Sequence, residues 1–329
     1  MVSKVEISHR TIIFTIALIS GLWALLQIRD ILYLLFISFL LMTALRPLVD
    51  GLERIRLPRI ISILLIYGIV FGLLGFVVAS AIPSLIVQTS KLIHELPFVV
   101  ERVMPYWNID IRSVTQQIAP VSENIFRLTL GIFSNIITTL TVLVLTFYFL
   151  LEHKHTEKFI VETLGSAASA RIMRVVTDLE KRLGAWVIGE LFLMFCVGLF
   201  VYIGLAFVLH VDFALPLAIF AGILEIVPMI GPIVSAVPAV LVAFATSPIL
   251  AVSVVALYFI VQQLENNLLV PKVMQRAVGL NPVVSIVALL IGAKLAGVLG
   301  VVLAIPVATA LSVLFHDIFH ESEEEPVLV

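Results

Sequence analysis

Charge is scarce in this chain. Asp, Glu, Lys and Arg make up 13% of its 329 residues, where a soluble domain carries about a quarter. With 61% hydrophobic residues and a mean hydropathy of +1.18, it holds more apolar surface than a soluble core can hide. An excess of one sign is lacking too. The net charge is −2, so neither nucleic acid nor an acidic substrate is indicated as a partner. The single cysteine, Cys196, excludes a disulfide within the chain and reads as a small buried apolar residue. There is no Gly-rich phosphate loop, no G-x-S-x-G and no H-E-x-x-H. ATP hydrolysis and proteolysis by those signatures are therefore unsupported. No catalytic residue, metal ligand or cofactor is expected.

What is present is apolar length. A bilayer core about 30 Å thick needs about 20 helical residues. Uncharged runs of that order cover 11–28, 31–45, 60–90, 128–151, 191–209, 226–264, 277–293 and 295–315. The first, "TIIFTIALISGLWALLQI", lacks a small-residue cleavage pattern and is followed at once by a second run. It reads as a retained membrane helix. The run 226–264 is too long for one span, and Ser247-Pro248 is its expected turn. The expectation is an all-α polytopic membrane protein with about eight transmembrane helices.

Lys and Arg in the loops set orientation. "RPLVDGLERIRLPR", 46–59, carries Arg46, Arg54, Arg56 and Arg59, and the helical segment 152–182 carries six basic residues. If these are cytoplasmic, both termini are cytoplasmic as well. The expected organisation is then as follows. Residues 1–59 form N-terminal membrane helices and an Arg-rich cytoplasmic loop. Residues 60–151 form membrane helices flanking an extracytoplasmic amphipathic segment at 83–127. A solvated cytoplasmic helical connector covers 152–185, and a C-terminal unit covers 186–315. Residues 316–329 form an acidic cytoplasmic tail.

One stretch of the C-terminal unit resists bland rules. "EIVPMIGP", Glu225 to Pro232, places a carboxylate, two prolines and a glycine inside the apolar region. A carboxylate at the centre of a membrane helix costs about 2.5–3.5 kcal/mol on insertion scales, so Glu225 is paired, faces water, or lies near an interface. Pro228 is expected to leave a carbonyl one turn back without its donor, and Gly231-Pro232 to end the helix. Freed carbonyls beside a carboxylate can bind a cation or hydroxyl groups. A second candidate is "QQLENNLLVPKV", where Gln262, Glu265 and Asn266 recur on one helical face. Amides there can donate to and accept from a polyol-like solute. Lys294 is a candidate counter-ion to Glu225 or Glu265, or else snorkels from a hairpin tip. Glu190 reads as a rim residue near a cytoplasmic helix end.

Two stretches share their punctuation. Residues 215–244 and 281–315 each open with a proline (Pro216, Pro282) and break near a glycine fifteen residues later (Gly231, Gly297). Each has a further proline in the returning arm (Pro238, Pro306). By loop charge they enter from opposite sides. They are either an inverted pair of re-entrant hairpins, as transporters use to form sites near the midplane, or a chance likeness of two Gly/Ala/Val-rich helical pairs.

Taken together, "EIVPMIGPIVSAVPAVLVA", "NNLLVPKVMQRAVGLNPVV" and "GAKLAGVLGVVLAIPVA" resemble the AI-2E family of bacterial membrane transporters, with "RPLVDGLERIRLPR" fitting the loop after its second helix. The resemblance spans essentially the whole chain. It implies an inner-membrane, multi-pass protein with two re-entrant hairpins, a mobile C-terminal transport unit, and homo-oligomers such as pentamers. Glu225, Pro228, Gly231, Pro232, Glu265, Asn266, Pro271, Pro282, Gly292, Gly297 and Pro306 fall on its characteristic positions, whereas Glu190 and Lys294 do not. Three functions follow as alternatives. The first is export of a small polar metabolite, with the quorum-sensing signal autoinducer-2 as a candidate. The second is Na⁺(Li⁺)/H⁺ antiport. The third is a non-transporting membrane scaffold.

Overall fold

The computed structural model describes residues 9–73, 136–164, 166–228, 230–274 and 280–320, with scattered positions from 75 to 87. Nearly all of the expected amphipathic segment 83–127 and the acidic run 321–325 lie outside the described residues. Within them the chain is helical. In order the helices are α1 (His9–Gln27), α2 (Arg29–Arg54), α3 (Arg59–Leu73), α4 (Ile136–Leu164), α5 (Ser166–Ile203), α6 (Ala214–Leu224), α7 (Ile230–Thr246), α8 (Pro248–Leu264), α9 (Val270–Met274) and α10 (Pro282–His320). Single π-helical turns, Gly204–Val208 and Glu265–Leu269, follow α5 and α8. Five of the described helical stretches are long and apolar enough to cross a bilayer: Arg10–Gln27, Arg29–Arg54, Ser169–Val208, Pro248–Met274 and Val283–Ile318. The protein is an all-α polytopic membrane protein.

The turn expected at Ser247-Pro248 is there. Ser247 caps α8, its hydroxyl accepting the Ile249 N–H at 3.3 Å, and Pro248 takes the first helical position, where a missing N–H costs nothing. Elsewhere helices run past their expected ends. The Arg-rich "loop" at 46–59 is helical as far as Arg54, because α2 continues through Pro47. Proline removes the donor for the Thr43 carbonyl four residues back. Gly184 of α5 passes against that carbonyl, where a Cβ would stand 2.8 Å from the oxygen. At the other end, α10 extends to His320, into the region expected to be tail.

Two packing centres result. Met42, Val49, Ile63, Ile66 and Leu150 join α2, α3 and α4. A larger core around Leu205, Leu217, Ala221, Ala239 and Val254 joins the end of α5 to α6, α7 and α8. Helices α5 and α6 cross closely at Gly198 and Gly222, where a Cβ on Gly222 would lie 2.7 Å from the Met194 carbonyl. Small residues at such crossings are what brings membrane helices together, since lipid gives no hydrophobic drive. The two basic segments meet at one end of the molecule. Arg46 of α2 bonds Glu180 of α5, His153 of α4 lies 2.7 Å from both, and Arg59 of α3 bonds Glu53 at 2.8 Å and the Leu150 carbonyl at 2.7 Å. The connector expected to be solvated is thus partly buried against α2.

Candidate transport site

The first break begins where α6 ends, at Leu224. Glu225 follows as its C-cap, the N–H reaching the Ala221 carbonyl at 3.1 Å. The chain turns through Ile226, Val227 and Pro228 and is helical again from Ile230. Two local expectations are corrected. The Leu224 carbonyl, four residues before Pro228, is not left open, because it accepts the Val227 N–H at 3.0 Å. Gly231-Pro232 does not end a helix but lies in the first turn of α7, where proline's fixed φ is already helical. Gly231 acts through close approach instead. A Cβ there would run into the Leu224 carbonyl, so only glycine lets α7 close on the end of α6.

The second break is at Ala296-Gly297, inside α10. Gly297 has φ 58° and ψ −135°, which glycine alone visits freely. Here the helix reverses rather than bends. A Cβ on Gly292 would overlap the Gly300 carbonyl, and one on Gly300 would overlap the Gly292 carbonyl, so the arms on either side run back to back. Val283–Ile318 is therefore not a single straight span. Pro282 opens the first arm behind Asn281, whose Oδ1 accepts the Val283 N–H at 2.9 Å. Pro306 is fully buried in the second arm, Pro216 is buried in the first turn of α6, and Pro238 lies half-buried within α7. Both punctuated stretches thus form helical hairpins.

The polar face on α8 also holds. Gln262 Nε2 donates to Glu265 Oε2 at 3.1 Å and to Asn266 Oδ1 at 3.5 Å. Glu265 opens the π-helical turn, whose widening places the Val270 N–H on the Glu265 carbonyl, five residues back. Pro271, just beyond, cannot donate to the Asn267 carbonyl, and its ring would clash there in a regular helix. Asn266 is exposed. Asn267 is exposed too, turned back onto Gln263 through bonds of 2.9 and 3.0 Å.

Folding brings Glu225 and Glu265 together. Glu225 is 1% exposed and Glu265 5%, and their carboxyl groups are in hydrogen-bonding contact. A hydrogen bond between two carboxyl groups needs a proton on one of them. Glu225 Oε2 is buried with no hydrogen-bond partner among the described residues. Lys294, open between counter-ion and snorkelling in the sequence, is exposed beside the second reversal, and no ion pair among the described residues involves it. Gly297 is exposed at the same reversal. Among the described residues no three His, Cys, Asp or Glu side chains stand close enough together to hold one metal ion.

The residue that sequence reasoning undervalues is Glu190. It is 5% exposed on α5 rather than at a rim, its charge acts on Glu225, and the charge of Glu265 acts on it. Its neighbour Gly189 packs on α9, where a Cβ would lie 2.9 Å from the Val273 side chain and 3.3 Å from the Met274 sulfur. A signal for it exists. Glu190 is the one charge between Leu183 and Leu209, deeper in an apolar run than a rim position warrants.

The chain matches the model of the AI-2E family transporter over residues 12–320. It is similar to "Putative transport protein YueF" of Bacillus subtilis, 30% identical over 92% of this chain and 86% of the relative. "Putative transport protein YrrI" of the same organism is 29% identical over 92% and 91%. "Putative transport protein MT0215" of Mycobacterium tuberculosis is 29% identical over 90% and 85%. With a family match over nearly the whole chain, relatives alike along most of their length, and helices long and apolar enough to span a bilayer, this chain belongs to the AI-2E family of membrane transport proteins.

Proposed function

We propose that the protein is a proton-coupled secondary transporter that exports a small polar metabolite by alternating access, with Glu225 and Glu265 as the coupling pair. The observation that carries this reading is Glu225: fully buried at a helix break, touching a second carboxyl group, with one oxygen unpartnered. Intramembrane carboxylates are costly and mark ion or proton pathways. Around them, Gln262 and Asn266 supply amides for a solute's hydroxyl groups. The two hairpins, re-entrant in this reading, supply the broken backbone that transporters place around such sites. Residues 186–315 form the transport unit. The Arg-rich end faces the cytoplasm of a bacterial inner membrane, and the protein works as a homo-oligomer, with a pentamer as the candidate assembly. Autoinducer-2 is the first solute to try.

The test is flux. Purified protein in proteoliposomes, given a panel of polar metabolites with autoinducer-2 first, should move at least one of them in a proton-gradient-dependent way. Glu225→Gln should reduce that flux by about a hundredfold, as loss of a well-placed group does. Unchanged flux in the variant removes Glu225 from the mechanism, and no flux from wild type removes the solute class. Na⁺(Li⁺)/H⁺ antiport is the second reading, favoured by the carboxyl oxygens that Glu225 and Glu265 bring together, since hard cations prefer oxygen ligands. Proton release on adding Na⁺ or Li⁺, followed with a pH dye, separates it from the first.

A further inference from the structure

We propose that Glu190 is a third proton-binding residue of this site, held apart from the Glu225–Glu265 pair and controlling the pair through its charge. This rests on the transport reading above and deepens it.

Three elements converge here: α5 brings Glu190, the turn after α6 brings Glu225, and the π-helical turn after α8 brings Glu265. All three residues are buried. No ion pair among the described residues supplies any of them with a cation. Three buried negative charges in mutual reach cannot stand together without neutralisation, and protons are the neutralising agent the chemistry of the site allows. Met194, one turn beyond Glu190, meets α6 at Gly222, three residues before Glu225, whose buried Oε2 has no partner among the described residues and is an acceptor left over for such a proton. A shared cation does not serve all three, since no such trio is close enough to hold one ion. On this proposal Glu190 carries a proton of its own.

The surroundings of Glu190 are consistent with that role. From α9 come Val273 and Met274 at Gly189. From α10 come Ile305 and Leu289, packed around Trp186 one turn earlier on α5. Glu265 acts on Glu190, and Glu190 in turn acts on Glu225. The basic groups of α2 and α4, Arg46 and His153, are engaged with Glu180, which lies ten residues and roughly 15 Å along α5. Protonating Glu190 removes a like charge from beside the pair, and deprotonating it restores that charge. The site's capacity is then one proton greater than the pair alone provides.

The test uses the full-length protein in lipid and has two arms. In infrared pH-difference spectra, the acid C=O stretch of wild type should contain a component that Glu190→Gln removes and that is distinct from the one removed by Glu225→Gln. An unchanged acid band in Glu190→Gln overturns the proposal whether or not the protein transports anything. In proteoliposomes, the flux that remains in Glu190→Gln should have a different pH profile from wild type, for whichever probe wild type moves (autoinducer-2, Na⁺ or Li⁺). The pH midpoint should shift by about one unit toward acid, a tenfold change in proton concentration. Glu190→Asp should restore the wild-type profile. A folded Glu190→Gln protein with a wild-type pH profile, or one with no flux at all, overturns the proposal; the latter would make Glu190 a ligand. If Glu190→Gln does not fold, Glu190→Asp read by the same infrared band decides, and a band unmoved by the substitution is a refutation. If the band behaves as expected but wild type moves none of the probes, the transport reading fails alone.

Discussion

At Gly231, one absent methyl group decides whether α6 and α7 can close. Gly231→Ala would press a Cβ into the Leu224 carbonyl, and backbone cannot swing aside as a side chain can. We expect a loss of about 1–3 kcal/mol, typical of overpacking, seen as a lower melting temperature in detergent. Gly297 makes a complementary case. Nothing lies within 4 Å of where its Cβ would be, so Gly297→Ala meets no neighbour. Its cost is conformational only, about 1–3 kcal/mol for holding a non-glycine residue at φ 58°, ψ −135°. A Gly297→Ala protein as stable as wild type would mean that the chain does not reverse there. The contrast explains what can be read from the residues alone. Proline and glycine report the backbone, which is local, so the turn at Ser247-Pro248 and the breaks near Gly231 and Gly297 are legible. Burial reports neighbours, which are not local. Glu190 reads as a rim residue because its face of α5 acquires meaning only when α9 packs on Gly189. Lys294 stays open between counter-ion and snorkelling because chain proximity to a break does not say which way a side chain turns.

At the scale of the element, the π-helical turn Glu265–Leu269 makes the sharpest prediction. It inserts an extra residue between α8 and α9, and so fixes how Glu265 is phased against Val273 and Met274, the pair that meets Gly189. Pro271→Ala restores the missing N–H and removes the ring, allowing a regular helix across the join. Losing the extra residue turns α9 by roughly 100° relative to α8, since one residue is that share of a 3.6-residue turn. Val273 and Met274 would then leave Gly189, and Glu190 would lose its fixed place near Glu265. Flux should fall by about ten- to a hundredfold with expression unchanged, the effect expected when a site is displaced rather than removed. Wild-type flux in Pro271→Ala would show that the widened turn is only the helix's accommodation of a proline. The sequence pattern places Gln262, Glu265 and Asn266 on one face correctly because α8 is regular up to Leu264. It does not reveal the widening, which depends on what α9 must touch.

Across the whole molecule, the question is what holds the α2–α4 centre to the α5–α8 centre. Apolar contacts do part of this, with Leu40 of α2, Leu183 of α5 and Leu303 of α10 in one cluster. The rest is electrostatic and sits at one end. Arg46 lies between Asp50, 3.4 Å away on its own helix, and Glu180 on α5, while His153 stands 2.7 Å from both the Arg46 guanidinium and Glu180. The side chains of Glu180 and Arg46 are 10% and 30% exposed, so solvent screens this pair only in part. Removing the guanidinium leaves the largely buried Glu180 carboxylate with His153 alone of these two partners. Arg46→Ala should therefore cost about 1–3 kcal/mol. Glu180→Ala should cost a similar amount, and the double variant less than the sum, with a coupling of about 0.5–3 kcal/mol for groups in one network. Thermal unfolding of the four proteins in one detergent measures it. Additive losses would show that Arg46 and Glu180 act independently. Strong coupling would show that the basic end is a tie between the two centres, so any movement of the C-terminal unit against the N-terminal helices must pivot on it or break it.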